Sequence, residues 1–550
     1  MDAALIALLR ADLLAARYTV DRLRQLWGDE ADMALARGDR LPALRALTAP
    51  AARATDPAGI LARLFMLDEL VGDDLLTLAM PTLGIAGARA LALLDEQGRA
   101  LLDVRPYSMI DAGGAVQWFI ASDLGEGALG GALPPDHVLG VGGASLTLAA
   151  LIPTEPVGSV LDLGTGCGIQ SLHVARHARR VVATDISARA LKRARLTLAL
   201  NGVDSVELRH GDLFAPVAGE RFDRIVSNPP FVITPRRGGV PRYEYRDGGL
   251  VGDAIVERVV RGAAEHLQPG GTAHLLGNWE YRDAASPDRG NGGDGSDSGS
   301  DDNSGDRGDG LARVRRWIDE AGLDGWVVER ERQSPAAYAA TWIRDGGTHV
   351  GSPDYERLAT AWLDDFTARG VTAVGFGYIL LRRPAASDVR AEGAGMDAVR
   401  LLRTEVLTAP LGGVLAGDSF LGRAPTAIGD HLLACVRAHD HIAGLNDTAL
   451  GSLRLQVAPD VTEERHYWPG DENPTVIRLH QGGGFARVID ADAALAGLVG
   501  ASDGELTVDE IVGALADLLE VDEGALLRQL LPHVRELLVT GLLAISGDPP

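Results

Sequence analysis

The sequence predicts an α/β fold built on a doubly wound parallel sheet, and three observations carry that prediction. From about residue 136, short apolar runs alternate with helical patterns. The first of these strands runs into a glycine-rich turn and then directly into a helix. Acidic residues close the next two strands. Alternation of this kind builds a parallel sheet covered by helices, because each parallel strand needs a crossover to bring the chain back.

The elements follow in order. SVLDLGT (159–165) reads as a buried strand and QSLHVARHA (170–178) as a helix. VVATDI (181–186) is the next strand, and ARALKRARLTLALNG (188–202) a helix closing at Gly202. VELRHGDLF, RFDRIVSNPPF and GGTAHLLGN supply three more strands. The stretch 283–312, crowded with Gly, Ser and Asp, has too little apolar surface to offset its ordering entropy and is predicted to be a disordered surface loop. A helix (313–322) and strands at 325–333 and 374–384 then complete the sheet, so this insertion lies inside the domain. The predicted boundaries are 1–135, 136–384 and 390–550.

The flanks read as α+β modules. Residues 1–80 suggest short amphipathic helices, one capped by Thr19 in TVDRLRQLWG and another in LARLFMLDELV (61–71). Two strand-like runs, 99–110 and 115–124, are split by Asp-Ala-Gly-Gly. Helices followed by a hairpin suggest a winged-helix-like shape, and the last third, with two or three amphipathic helices and a closing strand, suggests another. Composition bounds the rest. A net charge of −24 argues against wide, nonspecific nucleic-acid binding without excluding a local basic site. Two cysteines, Cys167 and Cys435, provide no disulfide framework. No apolar run is long enough for a transmembrane helix, and Asp2 and Arg10 spoil the N-terminus as a signal peptide, so a cytoplasmic protein without a membrane partner is expected.

The glycine turn, VLDLGTGCGIQ, places Gly164, Gly166 and Gly168 between strand and helix, where glycine lets the backbone turn sharply and approach a ligand. A dinucleotide fingerprint wants its third glycine one residue later, at Ile169. With Asp162 and Thr165, the turn instead resembles the Asp-x-Gly-x-Gly-x-Gly loop of class I methyltransferases, with their Rossmann-like sheet. The resemblance implies S-adenosylmethionine as cofactor, its methionine and ribose facing this loop. Asp185, 21 residues after Gly164, ends the next strand, where a carboxylate can accept from both ribose hydroxyls. The resemblance gives Asp212 to the adenine amino group and sets Ile186 and Leu213 against the ring. It also places a Ser/Thr-bearing segment against the cofactor carboxylate, making Ser145 and Thr147 candidates, although Ser145 reads equally well as a helix N-cap.

The fourth strand ends in SNPPFV (227–232). A planar amide or ring-amino nitrogen is a poor nucleophile because its lone pair is delocalised. Asn228, through its side-chain oxygen, and Pro229, through its carbonyl, can accept the two N–H groups and favour a pyramidal nitrogen. Pro229 and Pro230 stiffen the backbone, and Phe231 can stack on a flat target. The donor methyl is activated by its positive sulfur, so no metal is expected. The run from 211 to 233 resembles the release-factor glutamine methyltransferases and the wider methyltransferase small-domain group, a match to which Asn201 contributes. The same tetrapeptide occurs in adenine-N6 and guanine-N2 enzymes of nucleic acids. The three-part layout resembles a bacterial methyltransferase family with N- and C-terminal accessory domains.

Downstream, TPRRGGVPRYEYRDGG (234–249) puts Arg236, Arg237, Arg242 and Arg246 with two tyrosines, Tyr243 and Tyr245, beside the site, a loop suited to phosphate or an acidic peptide and equally to plain solvation. His431, Cys435 and His439, at i, i+4 and i+8, read as a helix face with a buried thiol rather than as metal ligands. The expectation is therefore an S-adenosylmethionine-dependent N-methyltransferase acting on a macromolecule. The residues leave open a protein glutamine, an exocyclic amino group of an RNA base, or a non-catalytic scaffold that keeps the cofactor fold.

Overall fold

The computed structural model describes residues 2–49, 54–111, 114–125, 133–283, 308–385, 400–407 and 428–547. Its contacts divide into two units, residues 1–149 with 156–383 and residues 150–155 with 384–550.

The first unit begins with six helices: α1 (Ala3–Ala15), α2 (Val20–Ala36), α3 (Leu41–Thr48), α4 (Pro57–Phe65), α5 (Asp73–Ala79) and α6 (Gly84–Ala90). Side chains of Asp2, Thr19 and Asp56 accept from the first free backbone N–H groups of α1, α2 and α4, as N-caps do. Helix α2 kinks at Gly28, whose φ of 81° breaks the helical path. The helix expected over 61–71 starts earlier and stops at Phe65; Asp68, at φ 47°, turns the chain beyond it. The hairpin of β1 (Asp103–Asp111) and β2 (Gly114–Ser122) follows in antiparallel register.

The helix α7 (Gly143–Leu151) leads into the sheet: β3 (Val157–Leu163), α8 (Ile169–Ala175), β4 (Ala178–Asp185), α9 (Ala188–Leu200), β5 (Val206–His210) and β6 (Phe222–Ser227). Next come α10 (Ala254–His266), β7 (Leu267–Arg282), α11 (Gly310–Glu320), β8 (Asp324–Gln333), α12 (Pro335–Asp345), α13 (Pro353–Ala368) and β9 (Val371–Arg382). Strands of this unit lie in the order β8-β9-β7-β6-β3-β4-β5. The five from β7 to β5 are parallel, and β9 runs antiparallel to both its neighbours. The order reverses between β3 and β6, so the loops after these two strands open at the switch point where such sheets bind ligands.

The hairpin is tied to α9 by polar groups. The Phe119 N–H donates to Asn201 Oδ1 (2.9 Å), and Asn201 Nδ2 donates back to the Phe119 carbonyl (2.8 Å). Asn201 thus serves the edge of the hairpin. Leu196 and Leu200 of α9 are buried in one apolar core with Leu9, Leu13 and Phe65 of the N-terminal helices.

The predicted loop at 283–312 falls largely on 284–307, outside the described residues. Its flanks meet: the Arg282 N–H donates to the Gly308 carbonyl at 3.0 Å, and α11 begins at Gly310. A short Gly-Ser linker in place of 284–307 is therefore expected to leave the melting temperature and cofactor affinity near those of the full chain, by thermal unfolding and calorimetry. A drop of several degrees would show that the segment stabilises the fold.

The second unit contains β10 (Leu402–Val406), α14 (Ile428–Ala443), α15 (Asp447–Gly451) and β11 (Arg454–Val457). A meander of β12 (Val461–His466), β13 (Val476–Gln481) and β14 (Val488–Ala491) follows. Then follow α16 (Ala493–Ala501), β15 (Asp503–Thr507), α17 (Val508–Leu519), α18 (Glu523–Val539) and β16 (Leu543–Ile545). The middle strand of the β15-β11-β16 sheet comes from upstream. Thr507 and Glu510 form a reciprocal capping box at α17. On α14, His431 lies 3.5 Å from the buried Cys435 thiol. Among the described residues no group of three His, Cys, Asp or Glu side chains could hold a metal ion, and no helix is long and apolar enough to cross a membrane.

Candidate active site

The turn after β3 is set by backbone conformation. Gly164 (φ 78°) and Gly166 (φ 56°) are left-handed, and a Cβ on either would meet open space. A Cβ on Gly168 would stand 3.1 Å from the Ala194 Cα, so the third glycine allows α8 to pack on α9. Asp162 lies beneath this turn, 1% exposed. Its Oδ2 accepts from Thr165 Oγ1 (2.7 Å) and Ser171 Oγ (2.6 Å), and burial pushes its carboxyl up to about 6. The structure thus corrects the expectation that Asp162 faces the cofactor: it braces the turn from below.

A cleft of about 340 Å³ opens above the turn, a size suited to a small-molecule ligand. Gly164, Thr165 and Gly166 form part of its floor, and the ends of β4, β5 and β6 bring Asp185, Ile186, Asp212, Leu213 and Asn228 to the same space. Each Asp185 oxygen takes one backbone bond, Oδ2 from the Gly166 N–H (2.9 Å) and Oδ1 from the Ser187 N–H (2.8 Å). Each keeps capacity for a further donor. Burial, with a contribution from the Glu244 charge, raises the Asp185 carboxyl above the usual range. Asp212 is half exposed, 3.3 Å from Arg258 Nη2. Ser145 lines the cleft from inside α7, where its carbonyl accepts from Gln170 Nε2 (2.8 Å). Thr147 does not line it; two positions along the helix it is turned to another face.

Asn228, Pro229 and Pro230 wall the far side. Asn228 Oδ1 is buried without a hydrogen-bond partner among the described residues. The Pro229 carbonyl accepts from the Phe231 N–H (2.7 Å), a tight turn about Pro230 that leaves the oxygen one lone pair. Phe231 departs from expectation: its ring is 7% exposed, packs 5.5 Å from that of Phe376, and does not line the cleft.

The loop expected to offer free arginines is folded on itself. Phe231 bridges to Asp247, and the Val232 N–H donates to the Arg246 carbonyl, so a single β-bridge ties the two loops together. Asp247 holds Arg236 through both oxygens (2.9 and 2.5 Å). Arg246 reaches Asp345 and lies over Tyr243, itself buried. Only Arg237 keeps an exposed side chain among the three predicted contact residues Arg236, Arg237 and Tyr243, and it sits 3.2 Å from Asp364. Arg236→Ala is therefore expected to destabilise the fold by about 3 kcal/mol or more, since it strands the buried Asp247 charge. Chemical denaturation at low and high salt would show a loss nearly independent of salt; a purely salt-dependent loss of substrate affinity would instead restore a contact role.

Sequence reasoning missed His137, Gln170 and Glu244, which line the cleft together with Tyr245 of the aromatic loop. It also missed α12 and α13, although Ser334-Pro335 and Ser352-Pro353 are helix-start signals. Helix α12 supplies Tyr338, whose hydroxyl accepts from the Ile233 N–H (3.1 Å) and from Asn278 Nδ2 (2.5 Å), fixing the backbone just beyond the Asn228 turn.

Residues 140–283, which carry the parallel strands of this sheet, the glycine turn and most of the cleft lining, match the methyltransferase small domain family, a match that supports a class I S-adenosylmethionine-dependent methyltransferase domain. Residues 15–106 and 437–545 match two domains of unknown function. Ribosomal RNA small subunit methyltransferase C of Escherichia coli K12 is 37% identical over 138 residues, 25% of this chain and 35% of the relative; the protein of the O157:H7 strain matches to the same extent. The chain thus spans about a third of the length of these relatives. A solved T. thermophilus 16S rRNA N2 methyltransferase, in complex with AdoMet and guanosine, is 27% identical. It covers 32% of this chain and 42% of its own, with a TM-score of 0.23.

Proposed function

We propose that this protein transfers the methyl group of S-adenosylmethionine to the exocyclic amino nitrogen of an RNA base, guanine N2 or adenine N6. The observation that carries this reading is the unpartnered, buried Asn228 Oδ1 in the cleft wall. A buried acceptor left without a donor costs about 1–3 kcal/mol, which a substrate N–H relieves. The remaining lone pair of the Pro229 carbonyl accepts the second N–H. Together they favour the pyramidal nitrogen that attack requires, and the nitrogen sheds its proton to water after transfer.

The acceptors lining the cleft fit the donors of the cofactor. Asp185 takes the ribose hydroxyls, Asp212 the adenine amino group, and Ile186 and Leu213 flank the ring. The bound cofactor supplies a methyl activated by a positive sulfur. Tyr245, on the same cleft, offers a ring for the target base. The names of the relatives favour RNA over protein glutamine, and a ribosomal-RNA substrate sets the reaction in the cytoplasm. The test is incubation with methyl-labelled cofactor and cell extract, followed by separate digestion with ribonuclease and protease. Label released by ribonuclease supports the reading. Label released only by protease would move it to a protein amide, and label in neither would leave a scaffold.

A further inference from the structure

We propose that Gln170 is the acceptor for the α-ammonium group at the methionine end of the cofactor, held in place by the Ser145 carbonyl. The inference rests on reading the cleft as an S-adenosylmethionine site. Gln170 is 4% exposed and lines the cleft. Its Nε2 donates to the Ser145 carbonyl at 2.8 Å. That bond fixes the amide, because the flipped orientation would set Oε1 against a carbonyl oxygen. Oε1 is left buried, with no hydrogen-bond partner among the described residues. A fixed acceptor in this state calls for a donor from the ligand.

The cofactor has three groups of donors: the adenine amino group, the ribose hydroxyls and the α-ammonium. Asp212, at the end of β5, and Asp185, at the end of β4, answer the first two. Gln170 lies in the first turn of the helix after β3, two strands away from β5 and hydrogen-bonded to α7. The α-ammonium is the donor left to it. A bond from a cation to a fixed amide oxygen belongs to the stronger class of hydrogen bonds. The glycine pattern ends at Gly168, so nothing in that motif marks this residue.

The test is calorimetry of the full chain, wild type and Gln170→Met, with three ligands. These are S-adenosylhomocysteine, its deaminated analogue S-adenosyl-4-thiobutyrate, and 5′-methylthioadenosine, which lacks the amino-acid end. The variant is expected to lose about tenfold or more in affinity for S-adenosylhomocysteine. It should bind methylthioadenosine within about twofold of wild type, which also shows the cleft to be intact. Wild type should prefer S-adenosylhomocysteine to the deaminated analogue by a similar factor, and the variant should not distinguish them. An equal loss for all three ligands, or no loss for any, would overturn the assignment. Failure of wild type to bind any of them would instead sink the cofactor reading. Should Gln170→Met lose its fold, Gln170→Asn enters the same cycle, where the shortened amide should likewise cease to distinguish the two analogues.

Discussion

Asn228→Ala is expected to lower kcat by on the order of a hundredfold or more while leaving cofactor affinity within a few-fold. The reason lies in when the side chain matters. Its Oδ1 has no partner among the described residues, so removing it breaks no hydrogen bond of the fold. Its contact with the target N–H strengthens as the nitrogen pyramidalises, and an interaction stronger in the transition state than in the ground state falls on turnover. Asn228→Asp is the sharper probe: it keeps an acceptor but adds a charge. Steady-state kinetics on the methylated RNA, with calorimetry of the cofactor, separates the effects. Wild-type turnover in Asn228→Ala would remove planar-nitrogen chemistry from this site.

Asp185→Ala is expected to weaken cofactor binding by about 1.5–3 kcal/mol or more, roughly ten- to a hundredfold. The carboxylate also accepts from the Gly166 and Ser187 N–H groups, so the variant should be checked for a loosened turn by its melting temperature. The same residue sets a pH dependence. Burial, and then the Glu244 charge, raise its carboxyl above the usual range. Only the ionised form accepts from both ribose hydroxyls, so affinity should fall as pH is lowered, beginning above the pH at which an ordinary carboxylate would protonate. Calorimetry from neutral to acidic pH checks this. A flat profile in wild type would place the ribose elsewhere.

The sheet and the glycine turn were legible because each left a local signature. A left-handed turn required glycine at 164 and 166, a close helix contact required it at 168, and Asp185 and Asp212 fell at or just beyond the ends of successive strands. What one sequence could not reveal was pairing at long range. Arg236 and Arg246 look like free cations in a basic run, yet Asp247 and Asp345 claim them, the second from about a hundred residues away. Phe231 follows Pro229 and Pro230 of the cleft wall, but its ring packs on Phe376 of β9, a strand contact no local pattern announces. Asp162 shows the same limit at short range: the motif marks the residue, and only the hydroxyls of Thr165 and Ser171 reveal that it braces the turn. Gln170 carries no local signature, because its role depends on the Ser145 carbonyl, 25 positions upstream.

The most direct test is to identify the atom that receives the methyl group. RNA treated with the protein and labelled cofactor would be digested to nucleosides and resolved by mass spectrometry, with Asn228→Ala in parallel. Label is expected on an exocyclic amino nitrogen of a base, guanine N2 or adenine N6, and is expected to be lost in the variant. Label on a ribose 2′-oxygen or a ring carbon, unchanged in Asn228→Ala, would contradict the proposed reaction.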